Sequence, residues 1–273
     1  MDMDTVRLRG LVLLGCGKMG SALLQGWLAN GVPPASVWVL EPAPSEWLLG
    51  LAALGLHLNA GLPPAPAVCL LAVKPQMMGA ALPSIQALGN GTTLFVSIAA
   101  GTQISTFEAV LGAQTPIVRA MPNTPAAVGR GITALVANSV AGPAALALAS
   151  ELMAAVGAVV LLDSEHQMDA VTAVSGSGPA YVFHLIEALA AAGVAEGLPP
   201  EMAMQLARHT VCGAGELAHQ ASESAAQLRI NVTSPAGTTA AALEVLMDTQ
   251  TGFPPLLRRA VKAAADRGRE LGK

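Results

Sequence analysis

Apolar residues in the first half of the chain form short continuous runs, separated by stretches in which they recur at helical spacing. Between Gly20 and Gly31, for example, Leu23, Leu24, Trp27 and Leu28 mark one face of a helix. Continuous apolar runs predict strands buried on both faces. The predicted strands are residues 11–14, 37–40, 68–73, 93–98, 116–121, 132–137 and 158–162. Strands that alternate with helices indicate a parallel sheet with helices on both faces, an α/β fold.

The strand-like runs stop near Asp163. From 164 to 273 only helical patterns occur, interrupted at SGSGP (175–179), GLPP (197–200) and TSPAGTT (233–239). We therefore predict two domains, an α/β domain at residues 1–163 and an all-helical domain at residues 164–273.

Low charge raises the question of a membrane protein, because charged residues make up 12% of the chain and the mean hydropathy is +0.55. The longest charge-free span, 75–107, is broken by Gly79, Pro83 and GNGTT (89–93). It therefore contains no apolar run near the ~20 residues of a membrane helix. The first residues, MDMDTVRLRG, lack the basic start of a signal peptide. We expect a soluble cytoplasmic protein without a membrane partner, whose excess apolar surface is covered by oligomerisation.

Charge and cysteine usage exclude further classes of partner. The net charge is −4 without a basic cluster, which argues against nucleic acid. Cys16, Cys69 and Cys212 are an odd, scattered set typical of reduced thiols. The five histidines show no metal-ligand spacing, so we expect no metal.

Three glycines follow the first predicted strand in LVLLGCGKMG: Gly15, Gly17 and Gly20. Such a GxGxxG segment binds dinucleotides, with a tight turn at the first glycine, close approach of pyrophosphate at the second and close helix packing at the third. The helix that follows directs its free N–H groups at the phosphates. A glycine turn without a ligand is the alternative, but the strand before and the helix after favour the dinucleotide site.

Three further polar residues follow predicted strands. Glu41 could accept hydrogen bonds from the ribose hydroxyls and repel a 2′-phosphate, or it could point to solvent. Lys74 could face a ligand or be an ordinary surface lysine. Asn123, between two prolines, could face a cofactor or belong to a stiff turn.

A charge-free segment, INVTSPAGTTAA (230–241), opens a helix in the second half. It offers four hydroxyls, on Thr233, Ser234, Thr238 and Thr239, although a helix start needs only one capping side chain. The segment is therefore either a well-capped helix start or a group of neutral hydrogen-bond donors for a ligand.

Six segments in this order, LLGCGKMG, LAVKPQ, SIAAGT, RAMPNTPA, VSGSGPAYVF and LRINVTSPAGTT, span nearly the whole chain. Together they resemble pyrroline-5-carboxylate reductases. The resemblance implies a Rossmann-type, doubly wound, mainly parallel sheet at 1–163 that binds dinucleotide. It also implies an all-helical domain at 164–273 that binds substrate and interlocks with a second copy as a homodimer or higher homo-oligomer. The implied reaction is reduction of 1-pyrroline-5-carboxylate to L-proline by hydride transfer from NADPH or NADH.

The resemblance and the glycine motif assign candidate site residues. Those expected to bind the cofactor are Leu14, Gly15, Cys16, Gly17, Lys18, Met19, Gly20, Glu41, Asn59, Ala72, Val73, Lys74, Pro75, Ile98, Ala99, Ala100 and Asn231. Those expected to bind the substrate are Ser234, Gly237, Thr238 and Thr239, with Thr239 as the catalytic hydroxyl near the ring nitrogen. An imine can bind already protonated, so a hydroxyl could suffice there.

One residue departs from the family pattern, because Ala236 stands where TSPGGTT is usual. If that position has φ > 0, the alanine costs about 1 kcal/mol.

Two other functions stay open from the residues. A β-hydroxyacid dehydrogenase-like reductase shares the glycine start and the helical second domain but needs a lysine acid, and no lysine lies between Lys74 and Lys262. A non-catalytic dinucleotide-sensing protein would need only the glycine motif. The choice between NADPH and NADH also stays open.

Overall fold

The computed structural model describes residues 3–272. An eight-stranded sheet with the order β3-β2-β1-β4-β5-β6-β7-β8 forms its centre, and every neighbouring pair is parallel except β6 and β7. The strands are β1 (Leu11–Leu14), β2 (Val37–Leu40), β3 (His57–Leu58), β4 (Val68–Leu71), β5 (Leu94–Ser97), β6 (Ile117–Met121), β7 (Gly131–Ala137) and β8 (Gly157–Leu161). The predicted fold class, a mainly parallel doubly wound sheet followed by helices, is confirmed.

Helices connect these strands and then continue alone after β8 through the described residues. They are α1 (Met3–Arg9), α2 (Lys18–Ala29), α3 (Glu46–Ala53), α4 (Met78–Ala81), α5 (Ile104–Leu111), α6 (Pro143–Ala154), α7 (Met168–Val171), α8 (Gly178–Ala195), α9 (Pro200–Gln220), α10 (Ala225–Asn231), α11 (Thr238–Leu246) and α12 (Phe253–Leu271). Short 3₁₀ segments lie at Pro34–Ser36, Pro75–Met77, Leu82–Leu88, Thr124–Val128 and Glu165–Gln167, and a π-helical turn at Thr172–Gly176.

The sheet has an apolar layer on each face, because successive side chains of a strand point to opposite faces. In β1, Leu11 and Leu13 join the layer that contains Trp27, whereas Val12 and Leu14 join the layer that contains Phe95 and Phe107. Trp27 is fully buried, and its indole N–H donates to the carbonyl oxygen of Leu152 at 2.9 Å. Most of the continuous apolar runs are therefore strands with two buried faces, as predicted. The prediction is wrong for the edge strand β8, where Val160 and Leu161 are 42% and 58% exposed.

The antiparallel pair β6–β7 is the one exception to the predicted parallel sheet. Only residues 122–130 connect these strands, and they contain the 3₁₀ segment Thr124–Val128. A parallel crossover needs a dozen or more residues, so this connection permits only an antiparallel return. The two-residue strand β3 was also not predicted, because it is too short to show a pattern.

Contacts divide the chain into two compact units. The first runs through Gly176 and includes the end of α12 from Ala265 onward, and the second is Ser177–Ala264. The sheet ends near Asp163, the predicted limit of the α/β domain, and the short helices up to Gly176 pack with the sheet unit.

The helical unit Ser177–Ala264 has almost no apolar core of its own. Its buried apolar residues are the three alanines Ala190, Ala203 and Ala207, whereas larger side chains on its helices are exposed. Among the exposed ones are Val182, Phe183, Leu185, Leu189, Met202, Leu206, Leu217, Val245, Leu256 and Leu257.

One helical run, Glu165–Ala195, is long and apolar enough to cross a membrane by length and composition alone. No apolar run of this length was predicted from the sequence, so this candidate was missed. Its backbone is helical on both sides of SGSGP (175–179). One such helix is weak evidence for a membrane span, and 6% of its apolar window is buried.

Candidate functional site

The predicted cofactor-binding segments lie at the carboxyl ends of four adjacent parallel strands, β2, β1, β4 and β5. Backbone hydrogen bonds extend the sheet into these loops, from Gly15 N to Leu40 O at 2.9 Å, from Ala72 N to Leu14 O at 2.8 Å and from Ile98 N to Leu71 O at 3.1 Å. The loops 15–17, 41–43, 72–75 and 98–100 therefore share one edge of the sheet. The chain changes direction across the sheet between β1 and β4, which is where dinucleotides bind in such folds.

The three glycines of the motif, Gly15, Gly17 and Gly20, differ in the space that is available for a Cβ atom. Gly15 has φ +89°, and a Cβ there would lie 2.9 Å from Val73 Cγ1. A Cβ on Gly20 would lie 2.6 Å from the carbonyl oxygen of Gly15, whereas one on Gly17 would have no neighbour within 4 Å. Gly15 and Gly20 thus serve the turn and the packing, and Gly17 leaves open space at the start of α2. An open approach of this kind to a helix start is what a pyrophosphate site requires.

The start of α2 lacks a capping side chain. Gly17 is its N-cap residue, and the exposed Lys18 is its first residue. Free N–H groups at this end are available to an anion. Cys16 is buried, and burial raises the pKa of its thiol, against the effect of its hydrogen bond with Ser21, while the charge of Glu41 raises it further.

Glu41 turns back to the glycine loop instead of pointing to solvent. Its Oε2 accepts a hydrogen bond from the backbone N–H of Cys16 at 2.8 Å, and its Oε1 accepts one from Ala43 N at 3.1 Å. Asn59 binds the backbone of the same residue, since its Oδ1 accepts from Glu41 N and its Nδ2 donates to Glu41 O, both at 2.9 Å. Residues from three loops therefore meet beside Gly17.

The remaining predicted residues of this edge differ in exposure. Lys74 and Pro75 are exposed, Ala72 and Val73 are half-buried next to Gly15, and Ala99 is buried. The side-chain amide of Asn123 is hydrogen-bonded inside the protein. The residue is 8% exposed, its Oδ1 accepts from Ile132 N at 2.9 Å, and its Nδ2 donates to Ser175 O at 3.1 Å. Asn123 thus belongs to a stiff turn, the second of the two interpretations.

The hydroxyl-rich segment joins α10 to α11 in the helical unit. The N-cap residue of α11 is Gly237, and no side chain caps this helix. The Thr233 hydroxyl donates to Arg229 O at 2.6 Å. Within residues 3–272, the hydroxyls of Ser234, Thr238 and Thr239 have no hydrogen-bond partner. The interpretation of this segment as a well-capped helix start is therefore wrong, and these three hydroxyls are available to a ligand.

Two further residues of this segment were singled out from the sequence. Ala236 has φ +56°, so the non-glycine residue is in the left-handed region and carries the strain expected there. Asn231 is exposed at the end of α10, where its Oδ1 accepts from Gln227 Nε2 at 2.7 Å.

Sequence reasoning missed an ion pair between the sheet and the start of the helices. Arg119, 4% exposed in the middle of β6, donates to Glu165 Oε1 at 2.8 Å, and the same oxygen accepts from Ile104 N at 2.9 Å. It also missed the π-helical turn Thr172–Gly176, whose only sequence signal is the glycine-serine pattern SGSG. In the described part of the chain, no group of three or more His, Cys, Asp or Glu side chains could hold a metal ion.

Each half of the chain matches the model of a known protein family. Residues 165–271 match the family model "Pyrroline-5-carboxylate reductase dimerisation", and residues 11–101 match "NADP oxidoreductase coenzyme F420-dependent". The pyrroline-5-carboxylate reductase of Pseudomonas aeruginosa is 40% identical over 266 residues, which cover 96% of this chain and 97% of the relative.

Solved structures agree with the sequence relatives. The pyrroline-5-carboxylate reductase of Coxiella burnetii superposes with a TM-score of 0.88 at 35% identity, covering 97% of this chain and 99% of the other. The Plasmodium falciparum pyrroline carboxylate reductase with NADP bound gives 0.80 at 30% identity, covering 97% and 98%. This chain is a member of the pyrroline-5-carboxylate reductase family, which are NAD(P)H-dependent oxidoreductases.

Proposed function

We propose that this chain reduces 1-pyrroline-5-carboxylate to L-proline, the last step of proline biosynthesis, with NADH or NADPH as the hydride donor. The observation that carries this proposal is the group of three unpaired hydroxyls, on Ser234, Thr238 and Thr239, at the start of an uncapped helix. Proteins of the same family that match nearly the full length of this chain are named for this reaction.

The sheet unit holds the cofactor in this proposal, and the bound cofactor supplies a hydride to the carbon of the C=N bond. The N–H groups at the start of α2 bind the pyrophosphate over Gly17, where the space for a side chain is empty. The adenosine ribose lies near Glu41, and the loops 72–75 and 98–100 contact the rest of the dinucleotide.

The helical unit holds the substrate. Its carboxylate is bound by the Ser234 hydroxyl and by the N–H groups of Gly237 and Thr238, because a helix N-terminus attracts anions without needing an arginine. The Thr239 hydroxyl oxygen accepts a hydrogen bond from the N–H of the protonated ring nitrogen and keeps the imine oriented. The nitrogen arrives protonated, so hydride addition to the neighbouring carbon gives the neutral amine of proline without a separate acid.

An isotope experiment tests the reaction directly. The protein is supplied with pyrroline-5-carboxylate and with NADH or NADPH deuterated at the transferred position of the nicotinamide ring. We expect oxidation of the cofactor and proline that carries one deuterium at C5, as measured by mass spectrometry. Dinucleotide binding without turnover would contradict the proposal and favour a dinucleotide-sensing protein.

We also propose that the helical units of two copies interlock as a homodimer. The reason is that Ser177–Ala264 buries only three alanines among its apolar residues, so a partner must cover side chains such as Phe183 and Leu206, which are 61% and 52% exposed. The match to a dimerisation family over 165–271 supports this. The exposed apolar window of Glu165–Ala195 is then covered by protein instead of lipid.

Matched substitutions test the dimer. Phe183→Glu and Leu206→Glu should dissociate it in sedimentation velocity, whereas Leu8→Glu, at a residue that is 87% exposed on α1, should not. A full-length protein that sediments as an active monomer at assay concentration would refute the dimer.

The cytoplasm is the compartment that we propose for this reaction. Cys16, Cys69 and Cys212 are all free thiols, as in a reducing environment. Recovery of the protein in an exported or membrane fraction would argue against it.

A further inference from the structure

The carboxylate of Glu41 is fixed at both of its oxygens by backbone N–H groups. Oε2 accepts from Cys16 N in the glycine loop at 2.8 Å, and Oε1 accepts from Ala43 N in its own turn at 3.1 Å. Both bonds are charge-assisted, and such bonds are shorter and stronger than those between neutral groups. Within residues 3–272, no lysine or arginine forms an ion pair with Glu41. Its negative charge is therefore held beside the glycine loop without a cation to neutralise it.

Asn59 fixes the backbone of Glu41, from which the carboxylate side chain extends. Its side-chain amide exchanges two hydrogen bonds with the backbone N–H and C=O of Glu41, and its own N–H donates to Val39 O at 2.8 Å. Asn59 follows the short strand β3, and its φ of +50° turns the amide toward the end of β2. The amide thus continues the hydrogen-bond ladder of β2 and β3 by one residue. Its Nδ2 donor and its Oδ1 acceptor are both bonded to the Glu41 backbone.

The position of Glu41 bears on the 2′ group of the cofactor. In folds of this kind the adenosine ribose lies at the carboxyl end of the second strand, next to the glycine loop. A carboxylate there accepts hydrogen bonds from free ribose hydroxyls but repels a phosphate, which carries about −1.5 to −2 charges. The neighbouring residues 42–45, PAPS, provide no positive side chain. To bind NADPH, the protein would have to break both backbone bonds of Glu41 or accept the repulsion.

We propose that this chain prefers NADH to NADPH, that Glu41 is the residue that discriminates, and that Asn59 is a positioning residue that acts through Glu41. This inference rests on the proposed dinucleotide site and deepens it. Asn59 was expected to contact the cofactor. Here its effect on binding passes through the orientation of the Glu41 carboxylate.

Binding measurements test the preference without turnover. Titration of the full-length protein, followed by fluorescence or calorimetry, gives Kd for NADH and NADPH. The fragments ADP-ribose and 2′-phospho-ADP-ribose repeat the comparison without the nicotinamide. We expect the ligands without a 2′-phosphate to bind roughly 10- to 100-fold more tightly, the effect of losing one or two charge-assisted bonds. Equal or tighter binding of the 2′-phosphorylated ligands overturns the proposal, whereas failure of every ligand to bind refutes the dinucleotide site itself.

Variants separate the roles of the two residues. Glu41→Gln removes the charge and keeps the size, so NADPH should bind about tenfold more tightly while NADH changes little. Glu46→Gln is the matched control, since it removes an exposed charge from the first turn of α3, away from this network. If Glu41→Gln leaves the ratio of the two Kd values unchanged, Glu41 does not discriminate.

Asn59→Gly removes the amide and tolerates the positive φ, so the fold should survive, and a thermal melt checks this. If Asn59 positions Glu41, the Kd ratio should fall severalfold toward one, with NADH weakened more than NADPH. If Asn59 instead binds the cofactor directly, both Kd values rise by the same factor and the ratio stays constant, which overturns the positioning role. Asn59→Ala repeats the measurement with a less flexible backbone. Again a lower Kd ratio supports the positioning role, and a constant ratio overturns it.

Discussion

Gly20 of α2 packs against Gly15 of the preceding turn so closely that a methyl group on Gly20 would lie 2.6 Å from the Gly15 carbonyl oxygen. The neighbouring atom belongs to the backbone, so it cannot move aside without changing the turn. We therefore expect Gly20→Ala to displace the glycine loop and to destabilise the fold by about 1–3 kcal/mol, as overpacking does. Urea unfolding measures this, and an unchanged midpoint would show that the loop yields freely.

Gly17 provides the contrasting prediction. A methyl group there has no protein neighbour within 4 Å, and φ is −69°, so Gly17→Ala should leave the urea midpoint nearly unchanged. The methyl group would instead occupy the space of the pyrophosphate and weaken binding of NADH and NADPH at least tenfold. Kd from fluorescence titration checks this. Normal dinucleotide binding by Gly17→Ala would place the pyrophosphate elsewhere.

The third prediction concerns Thr239. Thr239→Ala removes the hydroxyl oxygen that accepts a hydrogen bond from the protonated ring nitrogen, and an unpaired buried partner costs about 1–3 kcal/mol. We expect kcat/KM to fall roughly five- to 150-fold, because each ~1.4 kcal/mol is a factor of ten. Thr239→Ser keeps the hydroxyl and should keep much of the activity. The melting temperature should hardly move, since the hydroxyl caps nothing. Full catalytic efficiency with a lower melting temperature would make Thr239 structural.

The fourth prediction concerns the strain at Ala236, whose φ is +56°. Ala236→Gly relieves about 1–2 kcal/mol of left-handed strain but adds roughly 0.5–1 kcal/mol of backbone entropy in the unfolded chain. The net effect should be a gain of about 0–1.5 kcal/mol in the free energy of unfolding. Ala240→Gly, inside α11, should instead lose about 0.5–1 kcal/mol. If both variants lose stability, the turn carries no strain.

The fifth prediction concerns the ion pair of Arg119 and Glu165. Glu165→Ala leaves the buried guanidinium without its carboxylate and removes the acceptor of Ile104 N–H. Because Glu165 keeps a 30% exposed side chain, the expected loss is about 2–3 kcal/mol, below that of a fully buried pair. Adding Arg119→Met should restore part of it. A double variant that loses the sum of both single effects would show that the two residues are not coupled.

Local patterns determined much of this protein from its sequence alone. Continuous apolar runs predicted seven strands, and for the inner strands the reason is that both faces of a covered strand exclude water. The edge strand β8 was also predicted by its apolar run, although it is largely exposed. The tight turn at Gly15, the close packing of Gly20 and the open space at Gly17 were also predictable, since all three depend on residues within one strand-turn-helix unit.

Only the tertiary structure decided the features that depend on contacts between residues far apart in the sequence. Strand order brings Cys16, Glu41 and Asn59 together from separate loops, so no spacing in the sequence could show that the carboxylate faces the glycine loop or that the amide holds it. The antiparallel β6–β7 pair follows from a connection too short for a crossover, and the freedom of three hydroxyls follows from Gly237 taking the N-cap position. The physical reason is the same in each case. Local propensity selects helices and strands residue by residue, whereas a hydrogen-bond partner exists only where the folded backbone places it.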